Sequence, residues 1–265
     1  MLRNVFLKNL RDQRRGLVGW SVGIVLLILL MSALWPSFGD IADLEAFLRN
    51  YPEAMREIFN LDEFTTGRGY LNAEIYSALL PVLFLVYAIG RGARLIAGEE
   101  QAGTLDLLLM TRVSRVGLVL QQAAAVAAGT LVLGLVLMVA VVACSPVFDL
   151  GITVGDAATG SLAMVLLGVE FGWLALAVGA VTGRRVLAVA VPAALAVAAY
   201  LLYVAGRLVE AVEPWLPVSP FHQALEGGPL GAGLPAAYVW MPLAGAVAVA
   251  ASLPVFHRRD VGVHR

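Results

Sequence analysis

Six apolar runs, each about 20 residues long, divide this chain of 265 residues. A helix of that length crosses about 30 Å of hydrocarbon, so each run predicts one membrane-spanning helix. The runs are residues 17–37, 73–96, 116–144, 158–182, 185–206 and 237–256. Only 14% of the residues are charged, whereas a soluble domain has about 25%. The sequence therefore predicts an all-α, polytopic membrane protein with one transmembrane domain over residues 1–265.

Basic residues are concentrated on one side of the predicted spans. If the N-terminus lies on that side, only Arg49, Arg56, Arg68 and Arg207 of the 18 basic residues fall on the other. Because loops rich in lysine and arginine stay in the cytoplasm, this asymmetry predicts that both termini are cytoplasmic. Residues 38–72 and 207–236 are then the outer segments.

The segments that flank the spans have patterns of their own. Residues 1–15 place apolar residues at helical spacing and basic groups elsewhere, which predicts an amphipathic helix in the cytoplasmic interface. A basic tail that only sets the topology would have a similar composition. Residues 38–72 repeat apolar residues at helical spacing on both sides of Pro52, which predicts two short helices. Residues 207–236 hold Pro214, Pro217, Pro220, Pro229 and Pro235, so one continuous helix is excluded there.

Residues that could support catalysis are scarce. Lys8 is the only lysine, and it does not follow a glycine-rich turn, so the chain is not a P-loop ATPase. Cys144 is the only cysteine and cannot form an internal disulfide. The three histidines have no metal-ligand spacing. We therefore expect this chain to be no enzyme and to hold no catalytic residue, metal or cofactor, and we expect no nucleic-acid partner.

Glu170 is the only ionisable residue near the middle of a predicted span. A carboxylate inside the membrane is costly, so it usually faces the bundle interior, a partner or a solute pathway. Glu170 is thus either a structural, hydrogen-bonded acid or a residue of a substrate pathway. Gly168 and Gly172 flank it in a GxxxG pattern, which permits close approach of a neighbouring helix.

Residues 98–114 form a charged segment between the second and third spans. Gly98 and Gly103 are expected to interrupt the second helix, Thr104 to cap a short helix, and Ser114 to cap the third span. The short helix would carry a cluster of apolar side chains: Leu105, Leu107, Leu108, Leu109 and Met110. This cluster is too apolar for a free loop. It must pack against the membrane, against the chain's own bundle, or against a second protein.

The string Gly98-Glu-Glu-Gln-Ala-Gly-Thr-Leu-Asp-Leu-Leu-Leu-Met-Thr-Arg-Val-Ser-Arg115 resembles the end of the second span in ABC-2 type transporter permeases. Asp106 stands where glutamate is usual in that family, and Arg112 where proline is common. Four further segments also resemble sequences of this family: Gly69-Tyr-Leu-Asn-Ala-Glu74, Ser219-Pro-Phe221, Gly228-Pro-Leu230 and Phe256-His-Arg-Arg-Asp-Val-Gly262. The resemblance extends over essentially the whole chain.

The resemblance implies that residues 98–114 carry a coupling helix that contacts a separate cytosolic ATPase. It assigns to this coupling site Glu99, Glu100, Gly103, Thr104, Leu105, Asp106, Leu108, Leu109, Arg112 and Ser114. We expect Leu105, Leu108 and Leu109 to be apolar anchors in a groove of the partner. Glu100, Asp106 and Arg112 would supply charges at the rim of that contact.

The implied function is that of the membrane subunit of an ATP-driven exporter in the plasma (inner) membrane of a bacterium. Two copies of the ATPase, which bind ATP and Mg, would assemble with this chain and a second permease, identical or related. The solute path would lie between the two permeases, and the solute could be a drug, an antibiotic, a lipid or another amphipathic molecule. The alternative is a secondary transporter or channel that works without ATP and uses Glu170 as a proton or cation site.

Overall fold

The computed structural model describes residues 5–39, 66–105 and 113–259, and this part of the chain is helical without a β-strand. Within this described part, six helical segments are long and apolar enough to cross a membrane, as predicted. The first five are α1 (Val5–Gly39), α2 (Gly67–Gln101), α3 (Arg115–Val147), α4 (Val154–Thr182) and α5 (Arg185–Leu208). The sixth, Ala236–Arg258, is a 3₁₀ turn followed by α7 (Trp240–Arg258), and the short α6 (Pro220–Leu225) lies before it.

The first helix joins two segments that the sequence analysis treats separately. α1 is continuous, so the basic segment expected in the membrane interface runs without a helix break into the first span. Its residues Val5, Asn9 and Gln13 are buried, and the Val5 backbone N–H donates to the Gln121 side chain of α3 at 2.9 Å. The inner face of the amphipathic segment therefore packs on the protein itself. Arg11, Arg14 and Arg15 are exposed.

The fourth helix occupies the centre of the bundle and contacts α2, α3, α5 and α7. Of the residues in an apolar 18-residue stretch of α4, 72% are buried, compared with 17% in the corresponding stretch of α1. Glycine makes these close contacts possible. A Cβ atom at Gly92 of α2 would lie 2.1 Å from the carbonyl oxygen of Gly172 on α4. A Cβ atom at Gly168 would lie 2.8 Å from the Thr130 side chain of α3, so the GxxxG pattern packs α4 against another helix of the same chain.

The second span is not a regular α-helix. Residues Asn72–Leu79 and Arg94–Gly98 are π-helical, one near each end of α2. The Leu80 N–H reaches the carbonyl of Ile75, five residues earlier, and Pro81 follows without an N–H to donate. Side chains bond carbonyls of both π segments: Ser77 Oγ donates to the Asn72 carbonyl at 2.7 Å, and Gln122 Nε2 donates to the Leu95 carbonyl at 3.1 Å. Such π segments are frequent at functional sites.

The two ends of the bundle differ in charge. We call the end that holds Lys8, Arg94, Arg115, Arg185 and Arg259 the basic end. The opposite end is covered by the segment between α5 and α7, which is irregular, as its prolines predict. There Phe221 is buried and Trp215 is exposed. Leu230 of this segment is buried against α4, where a Cβ atom at Gly160 would lie 2.9 Å from it.

One sequence prediction falls outside the described part of the chain. The two short helices expected on either side of Pro52 belong to residues 40–65, which the structure does not describe. The described part of that outer segment begins at Thr66, whose side chain caps the start of α2 by accepting from the Gly69 N–H at 3.0 Å. The helix that contains the second predicted span therefore begins at Gly67, ahead of the predicted residue 73.

Candidate functional site

The second helix ends later than the sequence predicts. Gly98 has a right-handed helical conformation with φ −70° and lies inside α2, so the expected interruption at Gly98 is wrong. Gly103 has φ +68°, a conformation that glycine adopts without strain, and the helix ends just before it at Gln101. The interruption predicted at Gly103 is therefore confirmed.

Thr104 folds the chain back onto the end of α2. Its backbone N–H donates to the Glu99 carbonyl at 2.9 Å, and its hydroxyl is 3.1 Å from the same oxygen and also contacts the Glu99 carboxylate. Lys8 of α1 lies 3.6 Å from that carboxylate. The short helix that Thr104 was expected to cap would run through residues 106–112, outside the described residues. The capping role thus stays a prediction, and the contact with Glu99 is what the structure adds.

Glu100 forms an ion pair inside the chain. Its carboxylate contacts the guanidinium of Arg259, which follows α7, and both side chains are mostly buried. The pair lies over Gly183, which has φ +66° in the turn between α4 and α5. A Cβ atom at Gly183 would lie 2.5 Å from Arg259 Nη1 and 2.7 Å from Glu100 Oε2. Glu100 is thus paired with Arg259 inside the chain, and its predicted place at the rim of a partner contact stays a prediction.

The end of α7 is attached to the start of α3. Arg115 Nη1 donates to the carbonyls of Phe256 and Arg259 at 3.1 and 2.6 Å, which satisfies acceptors at the helix end. The guanidinium carbons of Arg115 and Arg259 lie 6.0 and 5.8 Å from the centre of the Phe256 ring. Ser114 caps α3 by accepting from the Gly117 N–H at 3.0 Å, as predicted.

Leu105 points into the subunit. Its side chain is 1% exposed and belongs to an apolar cluster with Val5, Leu95, Leu118 and Phe256. The expectation that Leu105 anchors a partner protein is therefore corrected, since the turn at Gly103 returns the chain to its own bundle. The other predicted coupling residues, Asp106, Leu108, Leu109 and Arg112, lie outside the described residues.

A row of buried amides crosses the basic end beneath this segment. Asn9 Nδ2 of α1 donates to Gln122 Oε1 of α3, and Gln122 Nε2 donates to the Leu95 carbonyl in the π segment of α2. Gln122 is not among the site residues predicted from the sequence. The adjacent polar pair Gln121-Gln122 within the apolar run 116–144 was the available signal. The amides join α1, α3 and the second π segment of α2.

Glu170 lies between α4 and α7, inside the subunit. Its side chain is buried, and its Oε2 atom has no hydrogen-bond partner in the part of the chain that the structure describes. A Cβ atom at Gly245 of α7 would lie 3.1 Å from the Glu170 Cα, so the two helices are in close contact here. Within the described ranges, no group of three metal-ligating side chains comes together.

The segments that resemble one family meet in pairs at the two ends of the bundle. Glu100 and Arg115 of the first quoted string bond to Arg259 and Phe256 of the last. A family model described as an ABC-2 family transporter protein matches residues 3–216, which include α1 to α5. No curated protein matches the sequence.

Proposed function

The chain belongs to the ABC-2 transporter family, and from this premise we propose that it is the membrane-spanning permease subunit of an ATP-driven exporter. The positive-inside rule puts the basic end in the cytoplasm. The membrane would then be the plasma membrane of a bacterium. The solute would be an amphipathic molecule such as a drug, an antibiotic or a lipid.

ATP chemistry belongs to a separate protein in this proposal. A P-loop requires a lysine after a glycine-rich turn, and the only lysine of the sequence, Lys8, is not in such a context. Two copies of a cytosolic ATPase would bind ATP and Mg and would contact the permease at its basic end. The permease contributes a difference in free energy between conformations and breaks no bond.

A second permease chain, identical or related, completes the exporter. Six spans correspond to half of such a transporter, and α1, α5 and α7 leave much apolar surface to lipid or to another subunit. The solute path would run between the two permeases. ATP binding would bring the ATPases together and switch the path from inward-facing to outward-facing.

One observation supports the coupling role best: both ends of segment 106–112 are attached to the bundle. On one side Leu105 is buried, and Thr104 folds back on Glu99. On the other, Ser114 caps α3, and Arg115 bonds to the end of α7. A force applied to residues 106–112 by an ATPase would therefore act on α2, α3 and α7 together. The Glu100–Arg259 ion pair would carry it to the turn between α4 and α5.

Co-purification tests this proposal. The chain is expressed with a candidate ABC ATPase from the same genome, and retention of the ATPase and its hydrolysis of ATP are measured with candidate solutes. We expect a stable complex whose hydrolysis rises with an exported solute. Leu108→Asp should reduce ATPase retention strongly, whereas Asp106→Asn should change it little because rim charges contribute about 0–1 kcal/mol. Full retention and normal hydrolysis with Leu108→Asp in a correctly inserted permease would disprove the docking role.

The alternative, transport without ATP, is favoured only by Glu170. Its buried carboxyl has an oxygen without a partner among the described residues, which is compatible with a proton or cation site. Uptake or export by the purified chain in vesicles, driven by a proton gradient with no ATPase present, would support this function. Transport that requires the ATPase and ATP would reject it.

A further inference from the structure

A groove of ≈ 470 Å³ opens at the basic end, between the last turns of α2 and the start of α5. Arg94 from the π segment of α2 and Arg185 from the first turn of α5 line it, with Glu99, Gln101 and Thr104 beside them. Arg94 and Arg185 come from helices far apart in sequence, and both side chains are exposed. The groove is therefore a place where two arginines face the same open space.

The charges of the groove are not balanced. Glu99 is the carboxylate among the lining residues, and it is already bound by Lys8 at 3.6 Å and by the Thr104 hydroxyl. Neither Arg94 nor Arg185 forms an ion pair with another residue of the described ranges. Arg184 is also exposed, directly before the first turn of α5. An anion that enters the groove would thus meet two guanidinium groups and, among the lining residues that the structure describes, one carboxylate that already has partners.

The groove lies where the apolar surface of the bundle begins. Val186, the residue after Arg185, is 75% exposed, and exposed Val189, Val197 and Leu201 continue along α5. Side chains of this kind face the hydrocarbon in a spanning helix, so Arg94 and Arg185 lie at the depth of the lipid headgroups. A molecule with an anionic head and apolar chains would match both surfaces at once.

We propose that this groove binds the phosphate of an anionic phospholipid, with Arg94 and Arg185 as the groups that hold it. Guanidinium donates two parallel hydrogen bonds to phosphate oxygens, and this geometry suits arginine better than lysine. Basic pockets between spanning helices are recognised sites for lipid headgroups. The acyl chains would lie on the exposed apolar face of α5. This inference depends only on insertion in a membrane and stands apart from the proposed ATPase coupling.

The experiment measures which lipids the full chain retains. The protein is purified from vesicles of phosphatidylcholine with a minor fraction of phosphatidylglycerol, and the bound lipids are counted by native mass spectrometry. The test variant carries Arg94→Gln and Arg185→Gln. The matched control carries Arg14→Gln and Arg15→Gln, which removes two exposed arginines from the same end. A third variant, Arg94→Lys with Arg185→Lys, keeps the charge and removes the guanidinium fork.

We expect the wild-type chain and the control to retain phosphatidylglycerol in preference to phosphatidylcholine. In the test variant with Arg94→Gln and Arg185→Gln, called the glutamine pair, the preference for phosphatidylglycerol over phosphatidylcholine should fall about tenfold. The reason is that each basic residue near the membrane surface attracts an anionic lipid. The variant with Arg94→Lys and Arg185→Lys should show a lipid preference between that of the wild-type chain and that of the glutamine pair. If the glutamine pair does not fold, the single variants Arg94→Gln and Arg185→Gln replace it, each with a loss of about threefold.

Three results would overturn the inference. Equal losses in the glutamine pair and in the control would show that general surface charge attracts the lipid. Displacement of phosphatidylglycerol by millimolar inorganic phosphate would assign the groove to a soluble anion. If the glutamine pair released the ATPase while lipid retention stayed unchanged, the groove would belong to the partner protein. The ATPase measurement is separate, so failure of the lipid site and failure of the coupling proposal are distinguishable.

Discussion

The side-chain amide of Asn72 binds both backbone groups of Leu230, 158 residues away in the sequence. Asn72 Nδ2 donates to the Leu230 carbonyl at 3.0 Å, and the Leu230 N–H donates to Asn72 Oδ1 at 3.0 Å. Both residues are buried, so these two hydrogen bonds satisfy backbone groups that water does not reach. They attach the segment between α5 and α7 to the first π segment of α2.

Asn72→Asp should destabilise the protein by about 1–3 kcal/mol, because an ionised carboxylate cannot donate to the Leu230 carbonyl and leaves a buried acceptor without its partner. Thermal unfolding in detergent measures the effect. Glu74→Gln is the control, since Glu74 is exposed two residues further along the same π segment. A melting temperature of Asn72→Asp equal to that of the control would contradict the role of this pair.

The Glu100–Arg259 ion pair should stabilise the basic end. Glu100→Gln or Arg259→Gln alone should reduce the free energy of unfolding by about 1–3 kcal/mol, because the partner charge stays mostly buried. The exchanged pair Glu100→Arg with Arg259→Glu should recover part of the loss. Arg258→Gln, at the exposed neighbouring position, serves as control. A double-mutant cycle with no coupling between positions 100 and 259 would refute the expectation.

Gly92 and Gly90 provide a matched test of helix packing in α2. A Cβ atom at Gly92 would lie 2.1 Å from the Gly172 carbonyl oxygen, whereas a Cβ atom at Gly90 meets no atom within 4 Å. Gly92→Ala should therefore separate α2 from α4 at a cost of about 1–3 kcal/mol or more. Gly90→Ala should be neutral or slightly stabilising. Comparison of the two melting temperatures decides the point, and equal values would mean that the close contact does not govern stability.

Leu105 and Leu108 should fail in different ways. Leu105 is 1% exposed, so Leu105→Ala should destabilise the permease itself by about 2–5 kcal/mol. Leu108→Asp should leave the melting temperature of the permease close to wild type and weaken ATPase binding about 30-fold, as expected for a buried anchor in a partner groove. Unfolding and subunit retention are measured on both variants. A reversal of the two phenotypes would transfer the docking role to Leu105.

Glu170→Gln should impair transport more than folding. The change keeps the shape of the side chain, and the buried Oε2 has no described partner to lose. We therefore expect a small change in melting temperature and a clear fall in solute export by the reconstituted complex. Ser161→Ala, another buried polar position of α4, is the control. If Glu170→Gln exports every tested solute at the wild-type rate, Glu170 is a structural acid.

Several features could be predicted because they depend on residues close together in sequence. A span needs only an unbroken apolar run of sufficient length, so the six spans are readable from the sequence. Ser114 directly precedes α3, and its side-chain oxygen accepts from a backbone N–H of the first helical turn. Gly103 permits the left-handed turn after α2. Gly168 and Gly172 correctly indicated close packing, although not the helices involved.

The remaining features depend on which helices become neighbours. Nothing near Glu100 in the sequence indicates that it pairs with Arg259, and nothing near Asn72 indicates that it bonds to Leu230. Leu105 cannot be distinguished in the sequence from the other leucines of its segment, although the structure buries it after the turn at Gly103. Gln122 bonds to the Leu95 carbonyl only because α3 packs beside the π segment of α2. The sequence by itself determined the number of spans, the cap at Ser114 and the turn at Gly103, since apolar length and caps act within a few residues. The tertiary structure alone decided the partners of the buried polar groups, because a buried group can bond only to the groups that helix packing brings near it.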